Sequence, residues 1–366
     1  MHARTLRRIE QKDEIRRVWI MKTEFFYGAC TSDGFVSHFD GLLRQAKHVT
    51  VLKGGCGCGK STLMRAVAAA AEQRGLDVEL GLCSSDAGSL DAVYLPALST
   101  AYADGTAPHV LEPRLCGGSM NYLNFGEFYD AEGMRAREDA LYETQTENAA
   151  QYPAMYASLR AAEAAQRCLT AEAPLDRDEL TGVAEGLAAT LLPPRDAAGS
   201  RRTCFLHAVV PTALLLLEQT PRTLCRRVVV LRDHYGQSAV LLEALAHRAA
   251  ANGHGCIVCP GLLGESIAHL LIPSAQVAFV TETDDFPFTG ACFCRVELDA
   301  MLPAARRREL EPHLQSRSAY LRRAQAHIRQ AKHLHDRMEL LCRPCVDFAA
   351  VERRTQWELN RLFGEK

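Results

Sequence analysis

The chain has 366 residues, 48% of them hydrophobic and 23% charged, with a formal net charge of −2 at pH 7. This composition is typical of a globular protein, and the near-neutral charge gives no general reason to expect nucleic acid or an anionic membrane as a partner. No apolar run approaches the ~20 residues that span a bilayer. We therefore expect two domains of ordinary size in the cytoplasm.

The first 20 residues are basic, but they lack the apolar segment and cleavage site of a secretory signal. Met21 begins a plausible shorter protein. We interpret residues 1–20 as an N-terminal extension that precedes the first domain.

A glycine-rich stretch, VTVLKGGCGCGKSTLM at residues 49–64, contains the pattern G-x-x-x-x-G-K-[ST] in full. The β-branched run before it predicts a buried strand, and apolar residues at helical spacing after it predict a helix. Strand, glycine loop and helix follow one another in the order that a nucleotide phosphate site requires. The predicted nucleotide-binding residues are Gly54, Gly55, Cys56, Gly57, Cys58, Gly59, Lys60, Ser61 and Thr62.

Four side chains would carry the chemistry of such a site. Lys60 would bridge the β- and γ-phosphates, and the Ser61 hydroxyl would bind Mg²⁺. Asp104 follows a strand of small and apolar residues, where we expect a second Mg²⁺ ligand; the alternative is a turn-capping aspartate before Gly105. Asp86, after the second strand, is our candidate for the catalytic base.

Weaker candidates lie on either side of Asp104. Asp91 is a second possible base, and Thr106 and His109 lie where a γ-phosphate sensor would be expected. The alternative interpretation of all three is ordinary loop structure.

The chain repeats itself. VTVLKGGCGCGKSTLMRAVAAAAEQRG is echoed by VVVLRDHYGQSAVLLEALAHRAAANG, and the offset from Gly59 to Gly236 equals that from Pro96 to Pro273. A register kept over such a span predicts a tandem duplication. In the second copy Gln237 replaces the lysine, and Asp233 stands where a carboxylate would repel phosphate. We therefore expect the second copy to be degenerate, with a structural or regulatory role.

A helical arm follows each copy. Residues 127–163 hold eight acidic and three basic residues, whereas residues 306–339 hold nine basic and four acidic ones. The arms could pair with each other through these charges, remain separately solvated, or, for the basic arm, contact nucleic acid. Pro153 should kink or divide the first arm.

The 14 cysteines are best interpreted as small apolar residues with reduced thiols, with a structural zinc site as the alternative. Cys256 and Cys259 lie on a predicted strand, where this spacing points them to opposite faces. Cys56 and Cys58 lie near a helix N-terminus that stabilises thiolates, so oxidation there could block nucleotide entry.

These segments resemble a bacterial family of uncharacterised P-loop ATPases with a duplicated nucleotide-binding domain. The similarity runs from Met21 over nearly the whole chain, and D-G-T-A-P-H at residues 104–109 is its most specific part. In that family the loop usually reads G-G-P-G-T-G-K-S-T, and the second loop commonly stays intact. Here cysteines replace the proline and threonine of the first loop, and the second loop does not match the family's motif. The resemblance implies nucleotide binding and ATP hydrolysis.

We predict an α/β fold of tandem duplicated P-loop NTPase domains, each a parallel, three-layer sheet with a helical arm. Residues 21–190 would form the active domain, 191–202 a linker and 203–366 the degenerate domain with the basic arm. The expected function is Mg²⁺-dependent ATP binding and hydrolysis by the first domain. The alternatives are a small-molecule kinase with Asp86 as base, and a nucleotide-sensing protein with little turnover. Beyond ATP, a protein partner or small-molecule acceptor is expected but not identified.

Overall fold

A computed structural model describes residues 20–112, 117–264 and 266–364. The predicted N-terminal extension lies outside these residues, except for residue 20. Among the helices of the described chain, none combines the length and apolar character needed to cross a membrane.

Sixteen strands are described, eight in each half of the chain. In the first half they are β1 (Lys22–Phe25), β2 (Gly28–Thr31), β3 (Gly34–Ser37), β4 (His48–Lys53), β5 (Val78–Cys83), β6 (Asp86–Leu95), β7 (Thr100–Asp104) and β8 (Met120–Asn124). In the second half they are β9 (Arg201–Thr203), β10 (His207–Val209), β11 (Leu214–Leu216), β12 (Arg227–Arg232), β13 (Cys256–Pro260), β14 (Ile267–Ile272), β15 (Val277–Glu282) and β16 (Cys294–Glu297).

Ten α-helices are described between and after these strands. They are α1 (Phe39–Gln45), α2 (Lys60–Gln73), α3 (Ala131–Arg135), α4 (Glu138–Ala149), α5 (Gln151–Glu172), α6 (Arg177–Leu191), α7 (Gln219–Leu224), α8 (Ser238–Ala251), α9 (Ala304–Cys342) and α10 (Phe348–Phe363). Pro153 lies in the first turn of α5, just after the break that separates it from α4, so the first arm is divided near this proline.

The two halves share one topology. The first sheet has the order β1-β5-β6-β7-β4-β8, and the second has β9-β13-β14-β15-β12-β16 when read from the corresponding edge. A two-stranded hairpin accompanies each sheet, β2–β3 in the first half and β10–β11 in the second. The protein is therefore an α/β molecule with two six-stranded sheets of the same strand order, as the repeat in the sequence predicts.

The strand directions correct our prediction of parallel sheets. Strand β6 runs antiparallel to both β5 and β7, and β14 does the same between β13 and β15. The reason is connection length, because only residues 84–85 join β5 to β6 and a single short turn, 96–99, joins β6 to β7. A parallel crossover needs about a dozen residues. Both sheets are therefore mixed.

The two sheets share one hydrophobic core. Along β12 and β15 the side chains alternate: Val228 and Val280 face a core built from both halves, whereas Val229 and Phe279 face a separate cluster under α6 and α8. Near the centre, Phe26 and Phe205 exchange backbone hydrogen bonds of 3.0 and 2.8 Å. The two phenylalanines follow equivalent strands, β1 and β9. Their pairing therefore joins the backbone of one half to the backbone of the other.

The helical arms cross between the halves. Helix α6, from the first half, packs on α8 of the second, where Leu180 and Ala184 join Leu241 and Leu245 in one cluster. Helix α10, from the second half, packs on α2 of the first. Each sheet is therefore completed by a helix from the other half.

The long helices α5 and α9 pack against each other. Leu159 and Ala162 on α5 are buried, as are Leu321 and Ile328 on α9, and all four belong to the shared core. The two arms therefore pair with each other, which is one of the three alternatives that the sequence leaves open. Apolar side chains thus form this contact, and α9 also packs on α4, where Arg337 lies 3.6 Å from Glu147.

Candidate functional site

The glycine loop connects β4 to α2 in a conformation that depends on glycine. Gly59 precedes the first helical residue with φ 99° and ψ 7°, in the left-handed region, and Gly57 has φ 68°. Among the described residues, no side chain caps this helix start. The N–H groups of the first helical turn and the positive end of the helix dipole are therefore presented at the loop, an arrangement that suits anions.

Lys60 lies folded over this loop. Its Nζ donates hydrogen bonds to the carbonyl oxygens of Gly54, at 2.7 Å, and Gly55, at 2.8 Å. The same Nζ lies 3.6 Å from Asp104 Oδ2, and the two side chains are only 11% and 16% exposed. The structure thus brings together the lysine and one of the two aspartates predicted for the site.

Asp104 is positioned by sheet register, because it ends β7 and pairs with Leu52 on the neighbouring strand β4, just before the glycine loop. Its Oδ1 accepts a hydrogen bond of 2.8 Å from the Thr106 N–H, so it also caps the turn that follows. Thr106 in turn donates its hydroxyl to the Gly54 carbonyl at 3.1 Å. The aspartate therefore caps this turn and also faces Lys60 with its second oxygen.

Ser61 is the first-turn hydroxyl of α2, and its Oγ accepts a hydrogen bond of 3.0 Å from the Leu90 N–H. The equivalent groups of the second half show how close the positions of Ser61 and Asp104 are in this fold. There Thr281 donates to Ser238 Oγ at 3.1 Å, and these two residues correspond to Asp104 and Ser61. A hydroxyl and a carboxylate at such positions form a hard oxygen donor set.

Asp86 is the first residue of β6 and forms an ion pair with the arm of the second half. Its Oδ2 lies 3.4 Å from Lys332 Nζ on α9, and its Oδ1 accepts a hydrogen bond from the Gly88 N–H at 3.0 Å. Burial disfavours the Lys332 ammonium, but Asp336 and Asp86 outweigh this effect and raise its pKa. Asp86 is therefore an ion-paired residue at the edge of the site.

His109 and Asp91 form a buried pair behind the loop that follows β7. The two side chains are each 7% exposed, and His109 Nε2 lies 3.0 Å from Asp91 Oδ2. Burial disfavours the imidazolium, but the hydrogen bond and charge of Asp91 prevail and raise the pKa of His109. Phe35 and Phe39 contact the imidazole edge-on. The pair supports the loop that carries Thr106, because the His109 N–H donates to the Thr106 carbonyl at 3.0 Å.

The arm of the second half covers the glycine loop. A Cβ on Gly57 would lie 3.5 Å from the Glu339 Cβ of α9, and a Cβ on Gly59 would lie 2.9 Å from Val351 Cγ1 of α10. Tyr129 closes the loop from the first half, where its hydroxyl donates to a loop carbonyl, that of Cys56, at 2.8 Å. No pattern in the sequence predicts the contacts of Glu339 and Val351, since they join segments from opposite ends of the chain.

The second glycine-containing loop holds its own anion. The Asp233 carboxylate is buried, and it accepts hydrogen bonds from the backbone N–H groups of Tyr235 (3.0 Å), Gly236 (2.9 Å) and Ser238 (2.6 Å). Burial raises the pKa of Asp233, while the bonds to Ser238 and Tyr235 act in the opposite direction. From the sequence we expect this aspartate to repel a phosphate. In the structure its carboxylate also accepts hydrogen bonds from the backbone N–H groups of the loop.

The arm of the first half is bonded to this second loop. Gln237, at the position of Lys60, donates its amide to the Thr170 carbonyl at 3.1 Å, and the Thr170 hydroxyl donates to the Tyr235 carbonyl at 2.9 Å. The second loop is thus filled by a carboxylate and closed by α5. In the first loop the equivalent side chain is a cation whose bonds to the described residues are within the loop and to Asp104.

The described cysteines are free thiols. Cys256 lies in the cluster under α8 and Cys259 in the shared core, so they point to opposite faces of β13, as their spacing predicts. Cys58 is buried in the glycine loop and donates to the Gly55 carbonyl at 3.1 Å. Burial raises the pKa of Cys58, although the charge of Lys60 opposes this shift.

Comparison of the chain with protein families, with curated proteins and with solved structures finds no match.

Proposed function

We propose that the first glycine loop binds a nucleoside triphosphate with Mg²⁺, and that the protein hydrolyses it. The arrangement of Lys60 carries this proposal. Within the described part of the chain, its ammonium bonds to the Gly54 and Gly55 carbonyls, to the Cys58 sulfur and to Asp104, all at or beside the start of a helix without a side-chain cap. A triphosphate offers this ammonium and the loop N–H groups better partners than carbonyl oxygens.

The residues at the loop suit the chemistry of this reaction. Ser61 and Asp104 would hold Mg²⁺, directly or through water, since a hydroxyl and a carboxylate are oxygen donors of the kind it prefers. Bound Mg²⁺ would supply charge neutralisation between the β- and γ-phosphates. Lys60 would leave the Gly54 and Gly55 carbonyls to stabilise negative charge on the transferred phosphoryl group. Thr106, bonded to the loop carbonyl, would keep Asp104 oriented.

The second half has a structural or regulatory role in this proposal. The three N–H groups that would receive a phosphate bind Asp233 instead, and Gln237 supplies no cation. One nucleotide per chain is therefore expected. ATP is proposed because neither half contains the N-K-x-D motif of guanine-specific sites. We place this activity in the cytoplasm, where the free thiols would remain reduced.

A nucleotide sensor is the second candidate, and the contact of α9 and α10 with the first loop favours it. Nucleotide entry next to Gly57 and Gly59 would displace or tighten these helices and so report occupancy to a partner. A small-molecule kinase has less support, because its expected base, Asp86, is held by Lys332.

Mg²⁺-dependent phosphate release from ATP tests the proposal, with the wild type compared with Lys60→Ala and Asp104→Ala. We expect both variants to lose about 100-fold or more of the rate, the typical result of removing a group that stabilises charge in the transition state. Gln237→Ala, at the equivalent position of the second loop, is the matched control and should keep the wild-type rate. Full activity in Lys60→Ala would contradict the proposal, whereas ATP binding without release would favour the sensor.

A further inference from the structure

Two cysteines from opposite ends of the chain meet at the glycine loop. Cys56 Sγ lies 3.5 Å from Cys342 Sγ, although the residues are 286 positions apart in the sequence. Cys56 lies in the loop itself, and Cys342 is the last residue of α9. A disulfide needs the sulfurs about 2 Å apart. The pair would therefore close by about 1.5 Å, within reach of side-chain rotation and a small movement of the loop.

The surroundings of the pair fix both partners. The Tyr129 hydroxyl holds the Cys56 carbonyl at 2.8 Å, and Glu339, one turn before Cys342, packs on Gly57. Lys60 lies close enough for its charge to favour the Cys56 thiolate, although the contact with Cys342 and then burial raise the pKa of Cys56 overall. The same contact lowers the pKa of Cys342. Cys342 is therefore the thiol of the pair that loses its proton more easily, and the thiolate is the form that oxidants attack.

We propose that Cys56 and Cys342 are a redox modification site, forming a reversible disulfide that fixes the α9 arm on the glycine loop. The oxidant is a peroxide. One thiol sulfur attacks the peroxide, the O–O bond breaks, and a sulfenic acid and one water form. The second sulfur then displaces the hydroxyl group, so the S–S bond forms as the S–O bond breaks and a second water leaves. The two thiols lose two electrons and two protons, and hydrogen peroxide becomes two waters.

The disulfide would join the glycine loop covalently to the arm that contacts it. Gly57 already touches Glu339 of the α9 arm. A covalent bond at Cys56 would keep Glu339 over the loop and shut the entry to its N–H groups. The closure of ATP binding rests on the proposed function. Formation of the bond and tightening of the arm do not, because both can be measured without nucleotide.

The test uses the full-length protein, oxidised with hydrogen peroxide at a small molar excess and then reduced again with a dithiol. Peptide mapping by mass spectrometry without reduction should find residue 56 linked to residue 342. Hydrogen exchange around residues 54–60 and 336–345 should slow in the oxidised protein and recover after reduction. Affinity for Mg²⁺–ATP, measured by calorimetry, should fall about tenfold or more on oxidation, a coupling of ordinary size between two sites.

Matched variants distinguish this pair from general oxidation. Cys342→Ser should lose the linkage and the slowed exchange, whereas Cys168→Ser, which removes an exposed cysteine on α5, should keep both. A link from Cys56 to Cys58 in place of Cys342, or a Cys342 that reacts with peroxide no faster than Cys168, would overturn the proposal. Linkage with unchanged exchange would also overturn it. If the reduced protein binds no ATP while linkage and slowed exchange occur, the disulfide stands and the proposed function fails.

Discussion

Two aspartates, Asp104 partly buried and Asp233 fully buried, give the two glycine loops opposite properties. In the first loop Asp104 faces Lys60 across 3.6 Å from the end of a neighbouring strand, and among the described residues no side chain caps the helix start. In the second, Asp233 belongs to the loop and takes three N–H groups itself. Hydrogen bonds to a charged acceptor contribute about 1.5–3 kcal/mol each, so an incoming phosphate would have to displace a well-bound group.

Gly59 should tolerate no side chain. At φ 99° a residue with a Cβ is strained, and that Cβ would lie 2.9 Å from Val351 Cγ1. We expect Gly59→Ala to lower the free energy of unfolding by about 1–2 kcal/mol and to weaken ATP binding. Gly182→Ala is the control, because Gly182 lies in the middle of α6 with open space around it; alanine there should stabilise the protein by about 0.5–1 kcal/mol. Denaturant titration of both variants checks this, and equal effects would contradict the strained geometry.

Two buried histidines make stability depend on pH. His269 Nε2 and His207 Nδ1 are 2.9 Å apart, burial lowers the pKa of His207 to about 4, and burial followed by the neighbouring His207 lowers that of His269 further. Between about pH 6.5 and 4, these two histidines are protonated in the unfolded chain, where their pKa is ordinary, but stay neutral in the folded chain. Stability is therefore complete above about pH 6.5 and is lost as the pH falls through this window. His207 alone would cost about 3 kcal/mol by pH 4.

Unfolding titrations at pH 7 and pH 4.5 would detect this effect. His207→Gln should lose less stability than the wild type over this interval, because it removes a group that the folded state keeps neutral. His247→Gln, which changes an exposed histidine on α8, should follow the wild-type profile. Identical pH profiles for all three proteins would refute the assignment.

At the scale of elements, α10 belongs to the second half of the chain but packs on the first half. It packs on α2, and its Glu358 is buried against β7, where the Tyr102 hydroxyl donates to Glu358 Oε2 at 2.8 Å. Arg361 donates to the same oxygen at 2.7 Å. Because Val351 of this helix also touches Gly59, the position of α10 is tied to the conformation of the glycine loop.

Removing the Glu358 carboxylate should loosen α10. Glu358→Ala leaves the buried Tyr102 hydroxyl without its acceptor, so we expect the free energy of unfolding to fall by about 2 kcal/mol or more. Hydrogen exchange within Phe348–Phe363 should become faster than in the wild type. Glu352→Ala, on the exposed side of the same helix, should change neither quantity. If exchange in α10 is unaltered in Glu358→Ala, the helix is held by its apolar face alone.

At the scale of the molecule, the exchange of helices makes the two halves interdependent. Helices α6 and α10 each cover the sheet of the opposite half, and the paired phenylalanines 26 and 205 lie in a core that both halves build. A degenerate second half would persist for a physical reason in such a molecule, since it supplies the helices that cover the first glycine loop.

Local features of this fold are predictable from the sequence. The β-branched run before Gly54, the helical periodicity after Lys60 and the constant offset between Gly59 and Gly236 predict the strand, the helix and the repeated topology. These features depend on neighbours in the chain, so sequence periodicity carries them. The opposite orientation of Cys256 and Cys259 is predictable for the same reason.

Long-range features are not predictable in this way. Repeated strand–helix–strand units favour parallel sheets, but the apolar runs do not encode strand direction. The decisive signal is the shortness of the connections at residues 84–85 and 96–99. The contacts of Glu339 and Val351 with the glycine loop join segments from opposite halves. Only the register of the whole fold determines them.

The central claim is that one of the two loops binds Mg²⁺–ATP, and calorimetric titration of the reduced protein tests it most directly. We predict one binding site per chain, lost in Lys60→Ala and retained in Gln237→Ala. Two sites per chain would contradict the role given to Asp233, and binding retained in Lys60→Ala would contradict the assignment to the first loop. No heat of binding in the wild type, with Mg²⁺ present and thiols reduced, would contradict the claim itself.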